Sequence, residues 1–186
     1  MYRWQESRAA RLDELEAAHR SVGGRGRGRR YATRELNHAY ALLLAAEFQG
    51  FCRDLHAEAS LAIASATSPL LRDIVVQSLL RKRLLALGNV SKKNVAADYG
   101  RFGIELWPAC VAVDARTGPR LDRLERLIAW RNAIAHSDFD YVRREYGSQL
   151  NLAEVRSFRR GLNGLASTID RVIRDRVEEA TGERPW

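Results

Sequence analysis

The sequence predicts an all-α protein, an up-and-down bundle of about five to six helices. Ala, Leu and Arg dominate the composition and only four prolines occur, which favours helix. Apolar residues recur at spacings of three and four in several long segments, which is the period of helices with one buried face. No segment alternates apolar and polar residues as a strand would. The length of 186 residues predicts one domain, residues 1–186, of ordinary size.

The first thirty residues are predicted to form a helix from Arg3 to Arg20 and then a loop. The loop, residues 21–30, reads SVGGRGRGRR; its glycines disfavour helix and its arginines repel one another. Two interpretations stay open, a segment that contacts nucleic acid and a solvated linker. The candidate contact residues are Arg25, Arg27, Arg29 and Arg30.

The helical core is predicted to occupy residues 31–180, with its second, fifth and last helices at the centre. Ser68-Pro69, Ser91 and Asn151 are the residue types that begin helices, and Gly88 is a typical end. The predicted helices after the first are 32–64, 69–87, 92–99, 119–136 and 152–180. The segments 100–118 and 137–150 are predicted to be irregular, with Trp107-Pro108 as a rigid corner.

The charge is strongly basic, with 31 basic against 23 acidic residues and a formal net charge of +8. Only three of the basic residues are lysines, so 28 are arginines, whose planar fork matches phosphate in two-point contacts. This favours a polyanionic partner such as RNA; the alternative is a codon bias that places arginines on solvated faces. The run Arg81-Lys82-Arg83 is a candidate extension of an RNA-binding surface or, alternatively, the solvated side of a helix.

The sequence favours a cytoplasmic protein without membrane, metal or cofactor. Cys52 and Cys110 lie among apolar neighbours, far apart, as reduced intracellular thiols do. No signal peptide and no apolar run of membrane-spanning length is apparent. Glu35 and His38 form one E-x-x-H step, whereas a di-iron bundle needs two such steps. No phosphate-binding glycine loop or nucleophile elbow occurs.

One motif carries chemical information, the hexamer RNAIAH at residues 131–136. On a helix, Arg131 would share a stripe with buried leucine and isoleucine positions, and a buried guanidinium is costly unless it is paired. Glu47 likewise falls on the apolar stripe of the second helix. We therefore hypothesise a Glu47–Arg131 ion pair; the alternative is that Glu47 reaches water at the edge of its stripe. Asn132 and His136 share a helix face at i, i+4.

The hexamer resembles the R-x4-H signature of the HEPN superfamily in its RNxxxH form. Two further segments are similar to stand-alone prokaryotic members: residues 36–55, like their long early helix with an embedded acid, and residues 88–107, like their connector. The resemblance covers residues 31–178. It implies a bundle that dimerises, with two copies of the motif facing each other across a cleft. Many members are metal-independent endoribonucleases of toxin–antitoxin or other defence systems.

The resemblance also implies roles for individual residues. His136 would act on the 2′-hydroxyl or the leaving oxygen, and Arg131 would stabilise charge on the phosphate. Asn132 would orient His136 or the phosphate, and Glu47 would orient Arg131. RNA, a second copy of the chain and an antitoxin or defence-system protein are the expected partners. Some toxin-type members carry a tyrosine two residues after the histidine as a modification target, but Asp138 stands there in this sequence.

Two other interpretations remain at this stage. A non-catalytic HEPN module could bind RNA, a nucleotide or a partner protein. Alternatively, the chain could be a helical assembly protein in which Arg131 is a structural member of a buried ion pair.

Overall fold

A computed structural model describes residue 4 and the ranges 8–23, 31–147 and 149–186. Arg25, Arg27, Arg29 and Arg30 lie outside the described residues. Within these ranges every regular element is helical, which confirms the all-α prediction. The α-helices there are α1 Ala9–Gly23, α2 Tyr31–Ser65, α3 Pro69–Leu80, α4 Leu84–Leu87, α5 Lys92–Tyr99, α6 Leu106–Val113, α7 Thr117–His136, α8 Asp140–Tyr146 and α9 Leu152–Thr181.

The core lies where α9 packs against both α7 and α2, as predicted. Leu44, Phe48, Leu124, Leu127 and Leu165 are among the side chains with no exposed surface there. Full burial of each such side chain contributes about 1.5–3 kcal/mol relative to leaving it in water. The long amphipathic helices therefore supply most of the stability, and they hold the end of α7 in a fixed position.

Two glycines allow α7 and α9 to approach closely. A Cβ atom at Gly161 would lie 3.1 Å from Cδ of Arg123, and one at Gly164 would lie 2.3 Å from Cζ of Arg120. The side chains of Arg120 and Arg123 on α7 therefore pass over α9 at the two glycines, where α9 carries no side chain. Arg120 then reaches Asp114 at 2.7 Å.

The predicted helix 69–87 is in fact broken between α3 and α4. Lys82 adopts a left-handed conformation with φ 53°, and Arg101 donates to the carbonyls of Leu79, Arg81 and Lys82 that the break leaves free. The carboxylate of Asp98 accepts from the backbone N–H groups that begin α4. These partners are distant in sequence, so local pattern alone did not reveal the break.

Two segments predicted to be irregular contain helices. In α6, Pro108 occupies the third helical position, where no backbone N–H is needed for an intrahelical bond, so Trp107-Pro108 begins a helix and is not a corner. The segment predicted as the loop 137–150 contains α8.

Helix α3 is apolar yet lies on the surface. Within α3, all of whose residues are described, no side chain is buried, and Leu70 is 90% exposed. It packs against α2. Among the described helices, none combines the length and apolar character that crossing a bilayer would require.

Candidate functional site

The last two turns of α7 carry the hexamer. Arg131 and Asn132 are half-buried, whereas His136, the last residue of the helix, is exposed. Ser137 ends α7 in a left-handed conformation with φ 55°, and the N–H of Asp138 donates to the carbonyl of Ala133 at 3.0 Å. This tight turn leaves the imidazole of His136 open to solvent at the end of the helix.

Arg131 makes a local contact only, as far as the described residues extend. Its Nη1 donates to Oδ1 of Asn132 at 3.1 Å, and no described carboxylate lies within ion-pair distance of it. The guanidinium is therefore bonded to its neighbour on α7, and no carboxylate of the described residues neutralises it. Asn132 contacts Arg131 and so can fix the direction of the cation.

Glu47 has different partners from the one hypothesised. Its carboxylate, on a side chain 4% exposed, accepts from Nη1 of Arg8 at 2.6 Å and from Nη1 of Arg11 at 2.9 Å. The hypothesised Glu47–Arg131 pair is therefore wrong, and so is the alternative in which Glu47 reaches water. The physical reason is that α1 packs along the face of α2 that carries Glu47.

A glycine on α2 makes this arrangement sterically possible. A Cβ atom at Gly50 would lie 2.4 Å from Nη1 of Arg8. The Arg8 guanidinium therefore lies directly over the α2 backbone and reaches Glu47 and, at 2.7 Å, Asp54. Glu47 and Gly50 are spaced by about one helical turn, as are Arg8, just before α1, and Arg11 on α1. This matched spacing is the sequence signal that could have identified the contact.

A cavity of about 390 Å³ adjoins the hexamer. We call it the motif-side cavity. Its walls come from the first turns of α2, the end of α7, the start of α8 and the loop before α9. The lining residues are Arg34, Glu35, His38, Trp130, Ile134, Ser137, Phe139, Arg143 and Gln149.

The cavity wall combines aromatic rings with charges. The His38 ring stacks on Phe139 with centroids 5.6 Å apart and planes at 21°, and Cζ of Arg143 lies 5.4 Å from the Phe139 centroid. Burial lowers the pKa of His38 below its usual range, although Glu35, with Oε2 3.6 Å from Nδ1, opposes the shift. His38 is therefore mainly neutral near pH 7. Among the described residues, buried Nε1 of Trp130 has no acceptor.

These cavity residues were not predicted as site residues. Arg34 and His38 are one turn apart on α2, as are Phe139 and Arg143 at the start of α8. The first pair had a helical signal that could have been used. The second pair could not be placed on one face, because its segment was predicted as a loop.

The predicted basic run 81–83 lies elsewhere. Nη1 of Arg83 donates to the carbonyl of Arg53 at 3.0 Å, so this residue ties the α3–α4 connection to α2. Arg53 comes fifteen residues after His38, a distance of about 22 Å along the helix axis. Arg81 and Lys82 are exposed beside Arg101, and neither of them lines the motif-side cavity.

Within the described ranges, no three His, Cys, Asp or Glu side chains meet in an arrangement that could hold a metal ion. A scan against protein-family models, a search of curated proteins and a search of solved structures each found no match to this chain. The chemistry of these side chains and the motif resemblance are therefore the grounds for assigning a function.

Proposed function

We propose that this chain is a metal-independent endoribonuclease that acts as a homodimer, with Arg131 and His136 as its catalytic pair. The observation that supports it most is the state of Arg131. The guanidinium is half-buried, and no described carboxylate neutralises it. His136, whose imidazole is exposed, follows Arg131 by five residues on the same helix. A phosphodiester is the ligand that would neutralise the first group while reacting with the second.

The proposed reaction uses a nucleophile that RNA carries itself. One imidazole takes the proton of the 2′-hydroxyl, the 2′-oxygen bonds to phosphorus, and the bond to the 5′-oxygen breaks. A second imidazole gives its proton to that leaving oxygen. The products are a 2′,3′-cyclic phosphate and a 5′-hydroxyl. Each positioned acid or base typically contributes about 10²–10⁴ in rate.

Arg131 and Asn132 have distinct roles in this scheme. The guanidinium of Arg131 donates to the non-bridging oxygens as negative charge develops on phosphorus, which is the kind of stabilisation that contributes most in many enzymes. Asn132 positions that guanidinium through the bond at 3.1 Å. Glu47 is given no part in this scheme, because its oxygens bind Arg8, just before α1, and Arg11 on α1.

The need for two imidazoles is the reason for proposing a dimer. Each chain contributes one histidine at the end of α7 to the reaction. Two α7 ends that meet around one phosphodiester would provide both an acid and a base. The motif resemblance supports the same arrangement, and it also supports the proposed setting in defence or toxin–antitoxin systems.

Cleavage of labelled single-stranded RNA in EDTA tests the proposal. We expect the wild type to cut RNA but not the all-2′-deoxy strand, because the latter lacks the nucleophile. His136→Ala and Arg131→Ala should each lower the rate at least about 100-fold. Arg160→Ala, which removes an exposed arginine of α9, is the matched control and should cut normally.

Circular dichroism and sedimentation should show that all variants stay folded and keep the same oligomeric state. Normal cutting by His136→Ala would reject the catalytic assignment. If the wild type and all the variants bind RNA and none of them cuts it, the result would favour a non-catalytic binding module.

A further inference from the structure

The motif-side cavity adjoins the end of α7 that carries the proposed catalytic residues, although neither Arg131 nor His136 lines it. Ile134 belongs to the hexamer, Ser137 follows His136, and both line the cavity. A nucleotide whose phosphate meets His136 and Arg131 would therefore have an adjoining base beside this opening. At about 390 Å³, the cavity is within the size range of small-molecule sites.

The cavity wall has the chemistry that recognises unpaired bases. Proteins bind extruded RNA bases by stacking them on aromatic rings and guanidinium planes and by hydrogen bonds to their edges. The stacked pair of His38 and Phe139, with Arg143 over the Phe139 ring, supplies such surfaces. The wall also contains an ion pair, in which Oε1 of Glu35 accepts from Nε of Arg34 at 2.9 Å and lies 2.9 Å from its Nη2. A carboxylate has about four acceptor positions on its two oxygens, so the paired Glu35 can still accept from a base.

The combination of a carboxylate with guanidinium groups discriminates between bases. Guanine presents two donors, N1–H and the 2-amino group, along one edge, and two acceptors, O6 and N7, along another. A carboxylate such as that of Glu35 can accept both donors, and an arginine can donate to both acceptors. Compared with guanine, each of adenine, cytosine and uracil has fewer donor groups along one edge that a carboxylate could bind.

We propose that the motif-side cavity binds an unpaired guanine base of the RNA substrate, next to the phosphodiester that is cut. This inference rests on the proposed ribonuclease function and specifies its substrate preference. Glu35 accepts from the guanine Watson–Crick edge, Arg143 donates to O6 or N7, and the Phe139–His38 stack supports the ring.

The test is the binding of non-cleavable 2′-O-methyl oligonucleotides to the full chain, measured by fluorescence anisotropy. The probes are uridine heptamers with a single central guanosine, inosine or adenosine. Inosine lacks the 2-amino group but keeps N1–H, O6 and N7. We expect guanosine to bind more tightly than adenosine by roughly fivefold to 150-fold, the range that two-point base contacts provide. Inosine should lie between them.

Two variants and a matched control make the assignment specific. Arg143→Gln should weaken the preference for guanosine, whereas Arg144→Gln should keep it in full, because Arg144 is also exposed on α8 but does not line the cavity. Glu35→Gln should bind guanosine and inosine equally, since its amide has one acceptor oxygen beside an NH2 donor and cannot accept from N1–H and the 2-amino group side by side.

The outcomes for binding and for catalysis can be told apart. Equal affinity for guanosine and adenosine, or equal effects of Arg143→Gln and Arg144→Gln, would overturn the cavity assignment. Either of these results would leave the ribonuclease proposal standing, because that proposal is tested separately by the cleavage assay. Guanosine preference that persists in His136→Ala would support the cavity assignment even if no RNA is cut.

Discussion

Glu47 is a single residue on which the attachment of α1 depends. It accepts from Arg8 and Arg11 while itself buried. We expect Glu47→Ala to lower the free energy of unfolding by about 2–4 kcal/mol, because a half-buried Arg8 loses a close charged partner. Urea denaturation measures this. Glu125→Ala, at an exposed position on α7, should change the free energy by less than about 0.5 kcal/mol.

The same variant separates two roles for Glu47. If Glu47 only attaches α1, Glu47→Ala should keep the wild-type rate of RNA cleavage under conditions in which it is fully folded. A large loss of rate without unfolding would instead show that Glu47 acts on Arg131, as the sequence-based hypothesis held.

At the residue scale, the sequence identified the charged groups that need a partner, but it did not identify which residue the partner is. The position of His136 at the end of its helix followed from the residues after it. The burial of Glu47 followed from its apolar neighbours. The pairing did not, since 28 arginines were available and the choice of Arg8 depends on the packing of α1 and on the absence of a side chain at Gly50.

At the scale of elements, the end of α7 is held in a strained conformation. Ser137 has φ 55°, which a residue with a Cβ adopts at a cost of about 1–2 kcal/mol. Glycine has no such cost but loses more entropy on folding. We therefore expect Ser137→Gly to stabilise the protein by about 0.5–1 kcal/mol in thermal or urea unfolding.

A matched substitution should have the opposite sign. Ser157→Gly places the same change inside α9, where glycine is a poorer helix former than serine, and should destabilise by about 0.5 kcal/mol. If both substitutions destabilise, the left-handed turn after His136 would not be the strained element described above.

Sequence patterns predicted the long helices and one short helix, α5, whose bounds followed from the cap residue Ser91. Helices α2, α7 and α9 have sustained apolar periodicity, and each was placed within a few residues of its observed ends. The short helices α4 and α8 have too few residues for a period to appear. The break before α4 depends on Arg101 and Asp98, which are distant in sequence.

At the scale of the whole molecule, the charge of +8 should govern RNA affinity. Each phosphate that a lysine or arginine neutralises releases counterions, so the logarithm of the affinity should fall linearly with the logarithm of salt concentration, with a slope of about −0.7 per contact on single strands. Anisotropy titrations of a uridine 2′-O-methyl heptamer at several salt concentrations measure the slope. Affinity that does not change with salt would contradict a role for the basic surface.

The stability of the whole fold should also depend on pH through one buried imidazole. His56 has no exposed surface, and its Nε2 lies 3.0 Å from the carbonyl of Asp98, to which it donates. Burial lowers the pKa of His56 to about 4. In the unfolded chain the pKa is about 6.5. Between these values the unfolded state binds a proton that the folded state does not.

The contribution of neutral His56 to stability is therefore complete above about pH 6.5 and is lost as the pH falls toward 4, by up to about 3 kcal/mol. His56→Gln keeps a donor for the Asp98 carbonyl but does not titrate. We expect the wild type to be the more stable protein at pH 7.5 and to lose most or all of that advantage by pH 4.5, in urea unfolding at matched pH values. His38, whose pKa burial also lowers, is present in both proteins, so its effect cancels. If the free energies of unfolding of the two proteins change in parallel with pH, His56 is not the group whose protonation makes stability depend on pH.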